Sequence, residues 1–442
     1  MVIAVVDRSG RPLAVYRKLA APATSTGNFG TLVDVNDLAV ALARTAAFFS
    51  NDQAPLSSRT VRFISGIHFP PGISDTPNAA LYGIENTNRG CSLPGTAVPP
   101  PLALSGATGP GILTGKADLN DSDPAAVNPG GVPLFANGVL LGGVGVAGVP
   151  PDVAEFAAFA AATSNGFGPS PAPPGVVVID GVALPFVNQT TRPAGVGPGS
   201  FTGTFFLGPL ASPGPPPAGD LIASVGGPLG GLTQIEVMQI LDKAEATANQ
   251  TRAVIRLPLG SRARMTIAVA DLDGTIIGLR RMPDATVFSL DVAVSKARNM
   301  VYFNSATRMT ADLPGVPMGT AVTNRTISFG AQPFFPPGID GSGAGPFFSL
   351  YQMDQASPCT QGFQPPGPNQ SGIVFFPGSV PLFRNGVLIG GLGISGDGVE
   401  QDDFVAAGGG AGFEAPQDIR ADQIMLGNVR LPYLKFPRNP TQ

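Results

Sequence analysis

Residues 132–148 read VPLFANGVLLGGVGVAG and residues 380–396 read VPLFRNGVLIGGLGISG, with 12 of 17 positions identical and no gap. A match this long at this separation marks a duplicated structural unit. In each copy a Pro-Leu-Phe segment meets Asn-Gly, at Asn137-Gly138 and Asn385-Gly386, and a β-rich run follows. Asn-Gly between apolar segments predicts a tight hairpin, because both residues tolerate the positive φ of a type I′ turn. Side chains on the second strand alternate faces. Leu388, Gly390, Leu392 and Ile394 share one side, and Ile389, Gly391, Gly393 and Ser395 share the other, which is nearly bare. A bare strand face marks close approach by another backbone or by a ligand, and a packed helix is the simpler expectation.

The repeat extends outward. Residues 1–17, MVIAVVDRSGRPLAVYR, match 265–281, MTIAVADLDGTIIGLRR, as strand, turn and strand, with Asp7 and Asp271 opening the turns and Gly10 and Gly274 inside them. A helix is predicted over 37–49 and over 291–303, capped in the second copy by Ser289 or Asp291. Ala39, Ala43 and Ala46, like Ala293, Ala297 and Met300, make a narrow stripe suited to the glycine face. A third matched block, 59–73 against 325–339, reads as a strand leaving through Phe-Pro-Pro-Gly. Long Pro/Gly/Ser-rich loops follow over about 74–130 and 340–378, and loops of this length are functional or poorly ordered. Short helices over 152–162 and 400–407 come after the hairpins, then Leu184-Pro185-Phe186 and its echo Leu431-Pro432-Tyr433. Thr233 and Glu236 form a capping box for a helix over 233–251 that the first copy lacks. Either the N-terminus is truncated or that domain dispenses with the helix.

The expected fold class is α+β, as two tandem two-layer domains, each an antiparallel sheet of about five strands with helices packed on it. The domains span 1–187 and 231–442, with a Gly/Pro-rich linker over 188–230. Composition supports two cores joined by much loop: 442 residues, 43% hydrophobic, with 59 Gly and 47 Pro. A net charge of −4 with no basic run argues against nucleic acid, and no apolar run reaches the length needed to span a bilayer. No signal peptide is present. Two cysteines and one histidine exclude a zinc cluster of Cys/His spacing. No Ser-His-Asp set is credible, and the Gly-x-Gly patterns follow a hairpin instead of opening a βαβ helix.

Each half resembles the GlcG/HbpS-like family of haem-binding or haem-degrading domains. The resemblance rests on 267–285 (IAVADLDGTIIGLRRMPDA), 288–303 (FSLDVAVSKARNMVYF), the second hairpin and 398–408 (GVEQDDFVAAG). It covers about 130 residues of the second copy. The first copy departs at Lys18 for Met282, Leu42 for Lys296 and 149–152 for 397–400, so a site is expected in the second. The resemblance implies the α+β fold above, oligomers, and haem, corrinoid-related or unassigned roles; fold alone does not fix function.

Under that resemblance, Arg281, Lys296, Arg298 and Arg325 are the cations placed to meet two propionates, because Arg forks match carboxylates. The competing reading pairs them with Asp271, Asp284, Asp291, Asp402 or Asp403. His68, the lone histidine, is a candidate iron ligand, although its repeat equivalent is Phe334. Met282 is a second candidate, with a core role as its alternative.

The leading function is non-catalytic binding of haem or a similar small planar, carboxylate-bearing ligand. The alternative is a structural or interaction module acting through its long loops, with self-association, and the third reading is oxidative haem degradation. Cys91 and Cys359 lie 18 and 20 residues after the matched Ile73 and Ile339. Packing about a pseudo-two-fold axis would bring them together as a disulfide and place the protein in an extracytoplasmic or secreted setting; otherwise they are unpaired thiols.

Overall fold

The glycine faces are filled by helix backbone. The computed structural model describes residues 1–27, 32–87, 129–169, 177–208 and 217–442, and these form two units. The first comprises Met1–Gly66, Pro70–Gly72 and Val98–Pro216; the second comprises Ile67–Phe69, Ile73–Ala97 and Pro217–Gln442. The first repeat thus gives a piece of its long loop to the second unit.

In the first unit, β1 (Val2–Asp7), β2 (Pro12–Lys18), β5 (Gly131–Ala136), β6 (Val139–Ala147) and β9 (Gly203–Leu207) form an antiparallel sheet in the order β5-β6-β1-β2-β9. Short hairpins pair β3 (Thr24–Thr26) with β4 (Leu32–Asp34) and β7 (Val178–Ile179) with β8 (Val182–Ala183). The helices are α1 (Val35–Phe49), α2 (Ser58–Phe63) and α3 (Pro151–Thr163). Asp34 caps α1 by accepting from the amides of Asn36 and Asp37. A Cβ placed on Gly143 would lie 2.1 Å from the Ala43 carbonyl oxygen, and one on Gly145 2.0 Å from that of Ala39.

The second unit repeats the design. Its sheet runs β10-β12-β11-β14-β13, built from β10 (Gly219–Ile222), β11 (Thr266–Ala270), β12 (Ile276–Arg281), β13 (Ser379–Arg384) and β14 (Val387–Ser395). β15 (Met425–Leu426) and β16 (Val429–Arg430) form a small hairpin. The helices are α4 (Gln234–Gln250), α5 (Phe288–Phe303), α6 (Asn324–Gly330), α7 (Phe348–Ala356) and α8 (Val399–Gly409). On the bare face of β14, a Cβ at Gly391 would meet the Ala297 oxygen at 2.3 Å, and one at Gly393 the Ala293 oxygen at 2.1 Å.

Helices cover both faces of this sheet. Ala268, Ala270 and Leu279 pack with Ala293, Ala297 and Val301 of α5, whereas Ile267, Val269, Leu392 and Ile394 pack with Val237, Leu241 and Ala244 of α4 and with Val405 of α8. The cause lies in the strands, since β11 is buried at every position and needs apolar cover on each side. The capping box of Thr233 and Glu236 opens α4.

Three expectations need correction. The third matched block forms α2 and α6 instead of strands, because Ser57 with Thr60 and Thr323 with Thr326 make capping boxes that nucleate a turn of helix. The same threonines donate to the carbonyls of Pro185 at 2.6 Å and Pro432 at 2.7 Å, which explains why Leu-Pro-Phe and Leu-Pro-Tyr recur. The stretch 188–230 supplies an edge strand to each sheet, since TFFL and DLI within its Gly/Pro background pair with β2 and β12. Neither Ser289 nor Asp291 caps α5, which already begins at Phe288.

Gly391→Val should destabilise the protein by at least about 3 kcal/mol, because the new methyls meet helix backbone that cannot rotate away. Gly343→Ala, where a Cβ meets nothing within 4 Å, should change it by under about 0.5 kcal/mol. Urea denaturation of the two variants measures the contrast.

Candidate functional site

The duplication supplies an internal control for the four candidate cations of the second unit. Arg281, at the end of β12, donates through Nη2 to the Ala285 carbonyl; its equivalent Arg17 donates through Nη2 to the Ala21 carbonyl at 3.1 Å. Arg298 on α5 donates through Nε to the carbonyl of Gly274 at 3.0 Å, and Arg44 on α1 does the same to Gly10 at 2.8 Å. Burial pulls both guanidinium groups down to about 10. Arg325 pairs through Nε with Asp403, as Arg59 pairs with Glu155 at 2.6 Å. Asp403 also accepts from the amides of Gly378 at 2.9 Å and Lys435 at 3.1 Å, and Glu155 accepts from those of Asn188 and Gln189, each at 2.9 Å. Three of the four candidate cations therefore do the same structural work in a copy where no site is expected.

Lys296 is the exception. Fully buried on α5, it donates through Nζ to the Ile394 carbonyl at 2.7 Å and to Asp402 Oδ2 at 3.0 Å, and it lies 5.0 Å from the centre of the Phe376 ring. Burial pushes the Asp402 carboxyl up to about 7 and pulls the Lys296 ammonium down, each against the attraction of the other. Gly378 and Gly130 fix the correspondence between copies. A Cβ on Gly378 would face Asp402 Cβ, the Ile394 oxygen and Lys296 Nζ; one on Gly130 would face Ala154 Cβ, the Val146 oxygen and Leu42 Cδ1. The first unit thus packs leucine against alanine where the second buries an ion pair.

The polar character spreads along the same edge. Asp402 Oδ1, Ser395 Oγ and Thr266 Oγ1 are buried without a hydrogen-bond partner in the protein, and Ser395 sits opposite Thr266 in the sheet register. Their equivalents in the first unit are Ala154, Ala147 and Val2.

A second cluster was missed in the sequence. Arg256 pairs through Nε with Asp397 and through Nη1 with Asp284 at 2.6 Å, and its Nη2 donates to the Asp284 carbonyl at 2.7 Å. Asp397 also accepts from the Arg264 amide at 2.7 Å, and burial pushes its carboxyl up. Asp284 adopts a left-handed backbone, φ 59°. The first unit has Ala20 and Val149 in place of Asp284 and Asp397. The signal was the loss of both acids together; their cation lies in a loop that matched nothing.

The remaining candidates are engaged elsewhere. Met282 is buried in the core under α4, its sulfur accepting from the Met265 amide at 3.3 Å. His68 is buried, with Nε2 2.6 Å from Asp340 Oδ1 and its ring stacked near Phe334, its own repeat equivalent. Cys359 is disulfide-bonded; Cys91, the other cysteine in the sequence, lies outside the described residues. Among the described residues no group of three or more His, Cys, Asp or Glu is placed to hold a metal ion, and no helix is long and apolar enough to cross a membrane. Arranged this way, the cations do not fit a pair of propionates, because Lys296 and Arg325 already hold carboxylates in closed packing.

Comparison with known proteins places these residues. Residues 232–410 match the family described as "Haem degrading protein HbpS-like". The resemblance read from the sequence thus extends over the second repeat, and the matched segment contains α4 through α8, both ion-pair clusters and the glycine hairpin. Curated relatives include the corrinoid adenosyltransferases PduO of Salmonella typhimurium, 30% identical over 156 residues, and of Citrobacter freundii, 29% identical over 156 residues. Each alignment covers 35% of this chain, and the chain spans about a third of their length, 34%. Solved structures similar to it include a PduOC:haem complex (26% identity, 40% of this chain, 91% of that one, TM-score 0.26). Another is the Klebsiella pneumoniae protein ORFY (20% identity, 41% and 90%, TM-score 0.27).

Breaking the Lys296–Asp402 pair from one side should cost about 3–5 kcal/mol, by stranding a buried charge. Lys296→Leu with Asp402→Ala reproduces the first unit's packing and should cost much less than the sum of the two singles. Denaturation of all four proteins gives the coupling. A carboxyl whose folded pKa lies near 7, above its ordinary value, binds its proton more tightly when folded. Asp402 therefore makes stability fall as pH rises from about 4 to about 7. Asp402→Asn should be less destabilising relative to wild type at pH 7 than at pH 4.

Proposed function

We propose that the second unit is a non-catalytic binding module for haem or a similar planar, carboxylate-bearing ligand. The match of residues 232–410 to the HbpS-like family carries this reading. The charged groups of the unit support binding over turnover: Lys296, Arg325, Asp402 and Asp403 are tied to one another, and Arg256, Asp284 and Asp397 likewise. A general acid or base has to reach its substrate, and buried groups in closed pairs do not. The ligand then rests on the outer surface of the unit, not between these charges. The disulfide at Cys359 supports an oxidising, extracytoplasmic setting.

Titrating the full chain with haemin should develop a Soret band that saturates at one haem per chain. The band should persist in the Lys296→Leu/Asp402→Ala variant, whose packing the first unit already uses. Loss of the band there with the fold intact would instead put the ligand's carboxylates on the buried pair. Release of carbon monoxide or biliverdin under reducing conditions would favour degradation. Absence of any band would leave the interaction module as the surviving reading.

A further inference from the structure

The segment that follows α4, residues 251–264, carries Arg252, Arg256, Arg262 and Arg264 and no acid. Arg256 turns inward to Asp284 and Asp397, and the others stay at the surface. Arg252 and Arg262 face each other across an isolated antiparallel bridge, flanked by backbone bonds from Ala253 to Ser261 and from Ala263 to Thr251. Like charges directly opposite one another on neighbouring strands cost stability. Neutral acceptors, not acids, hold these guanidinium groups. Arg252 Nη2 donates to the Arg438 carbonyl at 3.4 Å, and Arg264 Nη1 to Asn249 Oδ1 at 2.9 Å. Arg262 Nη1 donates to the carbonyls of Gln250 at 3.0 Å and Thr441 at 3.1 Å.

Arg438 completes the group. The Arg252 amide donates to the Pro440 carbonyl at 2.6 Å, so residues 438–441 lie against the bridge, with Arg438 exposed. Among the described residues, none of Arg252, Arg262, Arg264 and Arg438 belongs to an ion pair. Arg280 of the same unit, by contrast, holds Asp220, Asp242 and Glu245. On a chain with a net charge of −4, these cations gather where no acid meets them. An aromatic surface lies at the same end. Along α8 a Cβ on Gly408 would meet Thr247 and one on Gly398 would meet Val254, and Phe404 falls between them. Its ring makes an edge contact with Phe436 at 5.5 Å, and Phe436, two residues before Arg438, is 48% exposed.

We propose that this surface is where the planar ligand sits, with its carboxylates on Arg252 and Arg438, supported by Arg262 and Arg264, and its apolar body against Phe436. The proposal rests on the binding reading above and supplies its site. Guanidinium forks match carboxylates in geometry as well as charge, and an aromatic ring offers a flat apolar face. Lys296 and Arg325 are closed on Asp402 and Asp403, whereas these arginines can take a carboxylate without losing one.

The test titrates the full chain and Arg252→Ala/Arg438→Ala with haemin and with haemin dimethyl ester, whose carboxylates are capped. Haemin should bind the double variant at least about tenfold more weakly than the wild type. The ester should bind both proteins alike, at the affinity haemin shows for the variant. Rising salt should weaken haemin binding to the wild type more than to the variant, because exposed charges are screened. The Arg438 side chain donates no hydrogen bond among the described residues, so the melting temperature should hold. If the double variant melts lower, Arg438→Ala alone decides, with a loss of at least about threefold expected. Equal haemin affinity in wild type and variant overturns the site while the binding reading stands, and so does an ester that binds the wild type as tightly as haemin. No saturable Soret change with the wild type overturns both.

Discussion

Two carbonyl oxygens per unit set the rest of the architecture. Those of Ala39 and Ala43 in the first unit, and of Ala293 and Ala297 in the second, lie where a side chain on the central strand would otherwise project. Such contact is open only to glycine on the strand and to small residues on the helix. Once the helix is pressed this close, its register is fixed and the positions of its long side chains follow. Arg44 and Arg298 arrive at the carbonyl of a positive-φ glycine in the strand-to-strand turn, and position 42 or 296 arrives beside α3 or α8. The glycine face that a ligand would have been able to use is consumed by packing.

That constraint was legible because it repeats. The hairpins, the alanine helices and the capping box of α4 follow from short-range rules applied to matched blocks. What escaped was set by tertiary context. The block from Ser58 to Phe63 has β-branched and aromatic content suggestive of a strand, yet a capping box and a docked Pro185 carbonyl make it helix. β9 was hidden because four useful residues sit in a stretch dominated by glycine and proline, and edge pairing depends on a strand distant in sequence. α7 lies in the loop assigned over 340–378 and buries only Leu350, Tyr351 and Asp354. For the candidate site, two of the carboxylates offered as competing partners, Asp402 and Asp403, pair with Lys296 and Arg325, while Arg281 and Arg298 donate to backbone carbonyls that sequence does not reveal. Arg256 was illegible because its loop has no repeat equivalent to compare.

The divergence between copies sorts charge by purpose. Where both copies keep a cation with its acceptor, as in Arg17 and Arg281 or Arg59 and Arg325, the fold uses it. Where one copy has replaced a buried pair by apolar packing, the fold does without it, and Leu42 with Ala154 is such a case. A buried ion pair is a weak source of stability, because desolvation offsets the Coulomb attraction. Lys296 with Asp402 is therefore a buried pair that the packing of this frame does not require.

The two units are complementary in what each leaves incomplete. The second has a fully covered sheet and an interior edge where Asp402, Ser395 and Thr266 hold unsatisfied polar atoms. The first has an apolar interior along that edge and an outer sheet face whose cover is partial. In the same copy, one duplicated frame is thus apolar inside and exposes apolar surface outside. Leucine and alanine pack in the first copy where lysine and aspartate pair in the second. On the outer face Phe205 meets the Tyr16 ring at 4.7 Å and still stays largely exposed, as Leu207 does, so apolar surface at this edge strand is left to solvent in exchange for one ring contact.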